Sequence, residues 1–230
     1  MNVETIVYAL LAGILPSLLW LWFWLKEDNL HPEPRLIVFG SFLGGAAVVM
    51  VAIILEKFVA DIVIDETTRY ILWAAIEEVV KFMAVAVIAF SSKNMDEPID
   101  AMIYCITAAL GFAALENALF IFSPLSTGDV TRSIVTGNMR FIGATLVHII
   151  SSASIGFMLG LAFYKNIYIK SISIIAGVIL AITLHSAFNL SIINTTATNT
   201  LKIFGWVWFA VVVLLVLFEE IKVVRPKAVQ

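Results

Sequence analysis

Seven side chains of this 230-residue sequence could do chemistry inside apolar surroundings. Glu77, Glu78 and Lys81 share one hydrophobic run, Glu116 lies in the next, His148 in a third, and His185 with Asn189 in a fourth. Carboxylates with imidazoles are the ingredients of water activation, because a desolvated glutamate works as a base near neutral pH. Adjacent carboxyls such as Glu77 and Glu78 do not both ionise freely, so one is expected to hold a proton, while Lys81 favours ionisation of its neighbour. His185 and Asn189 can donate to a developing oxyanion. Glu77, Glu116, His148 and His185 equally offer a zinc ion two carboxylates and two imidazoles, with a position left open for water. The soluble zinc-protease signature, two histidines four apart with a Glu between them, is absent. A metal is therefore possible but not indicated by the spacing. No Asp falls well inside an apolar run, which removes a Ser-His-Asp set and paired intramembrane aspartates.

The elements that position these groups must cross lipid. The chain is 61% hydrophobic and 13% charged, with a mean hydropathy of +1.02. A soluble domain is roughly half apolar and a quarter charged. The net charge of −3 argues against a nucleic-acid partner, which calls for a basic surface. The single cysteine, Cys105, excludes an internal disulfide and reads as a buried thiol. Seven runs are long enough to span a bilayer as helices: Val3–Leu25, Leu36–Leu55, Tyr70–Phe90, Ala101–Phe122, Phe141–Tyr164, Ser171–Ile193 and Leu201–Leu217. The first lacks a basic lead and a small-residue cleavage site, and reads as a retained helix. Polar loops are expected at Lys26–Arg35, Glu56–Arg69, Ser91–Asp100, Ser123–Arg140, Lys165–Lys170 and Asn194–Thr200. The fold class is thus an all-α polytopic membrane protein, with one integral domain over residues 1–230. With the N-terminus outside, Lys26, Arg35, Lys93, Lys165, Lys170, Lys222, Arg225 and Lys227 face the cytosol, against Lys57, Arg69, Arg132, Arg140 and Lys202 outside. That bias favours a cytosolic C-terminus.

A charge at mid-membrane costs at least about 2.5–3.5 kcal/mol, so function is its default explanation. Successive helices run in opposite directions, and Glu77, Glu116, His148 and His185 then all fall roughly 9–12 Å below the outer boundary. Helix faces agree with this layer. Glu77 and Lys81 are four apart and can pair. His148, Ser152, Gly156 and Gly160 form one stripe, and Gly177, Ala181, His185 and Asn189 another. Small residues on such stripes let helices approach closely.

The motifs resemble those of the PrsW family of intramembrane proteases. Glu77-Glu78-Val79-Val80-Lys81 reads EExxK, and Asp100–Asn117 is close to DxxxYxxxxxLGFAxxEN. His148 and the HxxxN of His185–Asn189 complete the set, and His31–Arg35 (HPEPR) resembles the family's opening segment. The likeness runs from about residue 28 to 190 and extends to the wider CAAX protease group. It implies a peptidase that cuts a membrane-anchored protein, such as an anti-sigma factor, on the outer side of a prokaryotic cytoplasmic membrane. It also implies Glu77 as activator of water and His185 with Asn189 as oxyanion donors. Where related proteases place a histidine four residues after a phenylalanine, Phe112 is followed by Glu116, so the resemblance implies either that Glu116 shares a proton with Glu77 or that His148 fills the missing histidine's role.

Plainer readings exist for several residues. Glu77, Glu78 and Lys81 alone could form a structural ion pair, and His148 a packing residue. Asn117 could bridge helices, and Asp100 could cap the fourth helix. His31 reads as a solvated loop residue, and Trp20, Trp22 and Trp24 as lipid-facing or interfacial anchors. Two other functions use the same inventory: a proton-coupled transporter, since buried Glu and His make proton relays, and a non-catalytic scaffold. A transporter is expected to show repeats or broken helices, and the sequence shows neither.

Overall fold

A computed structural model describes residues 3–28, 32–193 and 197–225. The expectations for His31 and Lys227 lie outside them. Among the described residues the chain is helical throughout: α1 (Val3–Glu27), α2 (Arg35–Ile62), α3 (Glu66–Ile88), α4 (Asp100–Ser126), α5 (Val130–Met139), a π-turn (Arg140–Ala144), α6 (Thr145–Leu161), α7 (Ile167–Ile193) and α8 (Ala197–Lys222). The π-turn joins α5 to α6, and the rod Val130–Leu161 counts with α1, α2, α4, α7 and α8 as six helices long and apolar enough to cross a membrane. The seventh expected span, α3, matches them in length, but Glu77, Glu78 and Lys81 lower its hydropathy.

Helix α4 is the axis of the assembly. Its residues from Asp100 to Ala114 are all buried, so it meets protein rather than lipid on every side. Close approach makes this enclosure feasible. A Cβ added at Gly45 of α2 would lie 1.9 Å from the Ala108 carbonyl oxygen, and one at Gly111 of α4 would lie 1.9 Å from that of Phe42. Each helix thus supplies the glycine that the other's backbone presses on. A Cβ at Gly156 of α6 would lie 2.4 Å from the Ala101 carbonyl oxygen, so this part of the expected small-residue stripe packs on α4. The main apolar cluster joins Trp24 of α1, Met102, Ile106 and Leu110 of α4, Leu146 and Ile149 of α6, and Phe218 of α8.

Charged residues mislead hydropathy about where helices end. Helix α2 continues through Glu56 and Lys57, leaving only residues 63–65 before α3. There the Asp65 side chain accepts from the Thr68 N–H at 2.7 Å and caps α3. The expected loop Ser123–Arg140 is mostly α5, with Asp129 capping it through the Arg132 N–H at 2.9 Å. Asp100 does not cap α4 as expected. It lies in the first turn, and its carboxylate accepts from the backbone N–H groups of Asp96 and Glu97, tying down the preceding loop. The tryptophans of α1 also divide: Trp22 is exposed as expected of an anchor, but Trp24 is in the core.

Candidate active site

Four rods deliver the polar side chains to one buried cluster. Glu77, Glu78 and Lys81 come from α3, Glu116 and Asn117 from α4, His148 and Ser152 from α6, and His185 from α7. The four groups expected in one layer do meet. Glu77 Oε2 lies 3.7 Å from His148 Nδ1 and 3.8 Å from His185 Nε2, and His148 Nε2 lies 2.8 Å from Glu116 Oε2.

The two adjacent glutamates have different surroundings. Glu78 Oε1 accepts from Lys81 Nζ at 2.5 Å and pairs with His185 Nδ1 at 2.8 Å, and its Oε2 accepts from Ser152 Oγ at 2.8 Å. Lys81 thus pairs with Glu78, one turn away, and not with Glu77. Glu77 Oε2 is buried without a hydrogen-bond partner. Its carboxyl faces a cavity of 480 Å³ lined also by Glu116, Arg140, His148, His185 and Asn189.

Hydrogen bonds fix the imidazole tautomers. His148 Nε2–H donates to Glu116, so its Nδ1 carries the lone pair. His185 Nδ1–H donates to Glu78, so its Nε2 does. Those two nitrogens lie 3.7 and 3.8 Å from Glu77 Oε2. Three acceptors, one from each of Glu77, His148 and His185, lie within 4.8 Å of one another. Acceptors repel unless a cation or proton lies among them. This donor set suits a divalent metal, and each imidazole's far nitrogen bound to a carboxylate is the usual support of a metal-ligating histidine. Lys81 Nζ, 3.0 Å from His148 Nδ1, competes for one of the lone pairs.

Glu116 stands apart from this triad. It was expected among the zinc ligands, yet it meets His148 on the nitrogen that faces away from Glu77. Its second partner is Arg140, which donates to it from the π-turn. Arg140 Nε also donates to Asn117 Oδ1 at 2.5 Å, and Asn117 Nδ2 donates to Thr145 Oγ1 at 2.9 Å. Asn117 therefore bridges α4 to the π-turn and α6. Sequence reasoning assigned Arg140 to a loop, gave Ser152 no role beyond its stripe, and missed Thr145 and Glu56. Glu56 also lines the cavity. One available signal was Arg140's position next to an apolar run, eight residues before His148.

Residues 33–217 match the PrsW family intramembrane metalloprotease, beyond the C-terminal limit expected from motifs. A protein named Protease PrsW from Geobacillus kaustophilus is 29% identical over 66% of this chain and 65% of its own length, just under two thirds. Those of Shouchella clausii and Clostridioides difficile are 23% and 25% identical, over 80% and 78% of this chain and 82% and 76% of theirs. No solved structure matches the chain. With most of its length matched and six membrane-length helices, this integral membrane protein belongs to the PrsW family of intramembrane metalloproteases.

Proposed function

We propose that the chain hydrolyses a peptide bond of a membrane-anchored protein in the cavity above Glu77, nearer the outer leaflet. The observation that carries this reading is the buried, unpartnered Glu77 Oε2 facing two oriented imidazole nitrogens. Glu77, His148 and His185 would hold a zinc ion, which supplies Lewis-acid polarisation of a carbonyl and a water nucleophile at neutral pH. Glu116 and Glu78 fix the two ring orientations. Lys81 and Ser152 hold Glu78 in place, and Arg140 holds Glu116. Asn189 lines the cavity where its amide can donate to the carbonyl oxygen under attack. The apolar walls, including Phe120, Phe188 and Ile192, exclude bulk water. The outer-leaflet placement rests on the distribution of Lys and Arg. An anti-sigma-type regulator is the substrate that the family resemblance suggests.

A second reading makes Glu77 the base that takes the proton from water, with no metal. It is favoured by Lys81 at hydrogen-bond distance from His148 Nδ1. Metal content and chelation separate the two readings. On the first, purified protein carries about one zinc per chain, and chelation, Glu77→Gln or His148→Ala removes it together with cleavage. On the second, chelation leaves cleavage intact. The peptidase reading itself is tested by comparing membrane proteomes of cells carrying the native chain or Glu77→Gln. A fragment present only with the native chain is expected, and identical proteomes refute it.

A further inference from the structure

The cavity holds a further carboxyl group that the proposed reaction does not use. Glu56 of α2 lines it beside Tyr70 and Trp73 of α3. Glu77 belongs to the candidate site itself, and the other neighbouring charges are matched: Glu116 with Arg140 and His148, Glu78 with Lys81 and His185, and Arg69 with Glu66 at 3.3 Å. Among the described residues no side chain forms an ion pair with the Glu56 carboxylate. Its surroundings are aromatic and rigid. The Trp73 indole donates to the Glu56 backbone carbonyl at 3.0 Å, and Tyr70 packs edge-on against Trp73 with ring centroids 5.2 Å apart. Trp73 already has a cation near its ring, with the Arg69 guanidinium 5.7 Å from its centroid. Glu56 is also shared with an adjoining groove between α2 and α4, lined by Val49, Ala52, Ile53 and Phe112. Glu56 therefore lines both the cavity and this largely apolar groove.

We infer that Glu56, Tyr70 and Trp73 form a subsite for a lysine or arginine side chain of the substrate, close to the scissile bond. An unneutralised carboxylate in an apolar wall favours a ligand that brings the opposite charge. The Tyr70 ring adds cation–π attraction, and Trp73, with Arg69 already near its ring, adds apolar contact for the ligand's methylene stem. A site built around such a pairing rejects a ligand lacking the charge, because the carboxylate is then covered without a partner. This subsite rests on the peptidase reading and adds substrate selectivity to it.

The test uses the full chain in lipid nanodiscs and a set of fluorescent single-span peptides. The peptides carry Lys, Gln or Glu at each position of one membrane-boundary segment. Binding is measured with the Glu77→Gln chain, and cleavage with the native one. The Lys peptide is expected to bind roughly 10- to 100-fold more tightly than its Gln counterpart at one or two positions. Glu56→Gln should collapse that ratio toward one, and Glu56→Lys should shift preference to the Glu peptide. Size-exclusion profiles and thermal unfolding show whether each variant remains folded, and the isosteric Gln variant keeps the test informative if Lys disrupts folding. Equal binding of the Lys and Gln peptides, or a ratio unmoved by Glu56→Gln, overturns the subsite. Selective binding without cleavage by the native chain leaves the subsite standing and counts against the peptidase reading.

Discussion

Arg140 gives the sharpest test of the cluster. The Arg140 and Glu116 side chains are 14% and 19% exposed, so both are largely withdrawn from water. Arg140→Met leaves Glu116 charged with only His148 Nε2–H, and leaves Asn117 Oδ1 without its donor. Removing one member of a buried pair costs about 3–5 kcal/mol, and the residual exposure here argues for the lower end, about 3 kcal/mol. Replacing both members removes the unpaired Glu116 charge, so Arg140→Met with Glu116→Gln should lose less than Arg140→Met alone, down to about 1–3 kcal/mol for the undonated Asn117 Oδ1. Reversible unfolding in mixed micelles, followed by tryptophan fluorescence, measures both variants. The reasoning fails if Arg140→Met costs less than about 0.5 kcal/mol, or if adding Glu116→Gln deepens the loss. Activity separates structure from chemistry. The double variant should regain stability without regaining the native cleavage rate, because Glu116 no longer orients His148 as a charged acceptor.

Three further expectations follow from other parts of the molecule. Ser152→Ala removes a hydrogen bond to the Glu78 carboxylate and should cost about 1.5–3 kcal/mol in the same unfolding assay. Gly111→Leu drives side-chain atoms into the Phe42 backbone and should separate α2 from α4; a native melting temperature for this variant would contradict the described crossing. Glu33, in the loop before α2, accepts from the Tyr104 hydroxyl, while burial and the neighbouring Asp100 push its carboxyl up to about 8. The folded chain then keeps a proton that the unfolded chain has released, so this stabilisation is present at low pH and is lost as pH rises through about 8. Midpoints at pH 6 and 9 should differ in that direction, and Glu33→Gln should flatten the difference.

The fold class and the cluster's core were legible because lipid leaves long apolar runs, and charges within them stand out. Glu77, Glu116, His148 and His185 could be placed together from counted distances along antiparallel helices alone. What sequence could not resolve was the partnering. Periodicity puts Lys81 within reach of both Glu77 and Glu78, and only packing shows that it serves Glu78. Hydropathy also ends a run at its first charges. That rule cut α2 short at Leu55 and hid Glu56, and it placed Arg140 in a loop. Backbone hydrogen bonding continues through charged residues wherever a side chain finds a partner or reaches the membrane boundary. Trp24 was misassigned for a related reason: composition makes tryptophan an interfacial residue, whereas α1 turns this one inward onto Phe218.

The π-turn has a consequence for how the rod tolerates changes in length. Across Arg140–Ala144 the Thr145 N–H reaches back five residues to the Arg140 carbonyl instead of four. The turn therefore holds one residue more than a regular helical turn and absorbs it locally. Deleting one residue inside it would draw the turn into ordinary α geometry and keep α5 and α6 in rotational phase. The same deletion three residues later, between Thr145 and His148, would rotate one part of the rod by about 100° relative to the other. His148 would then turn away from Glu77 while every residue type in the cluster was still present. This rod thus behaves like a shaft with a single expansion joint, and the catalytic alignment depends on where along it a residue is gained or lost.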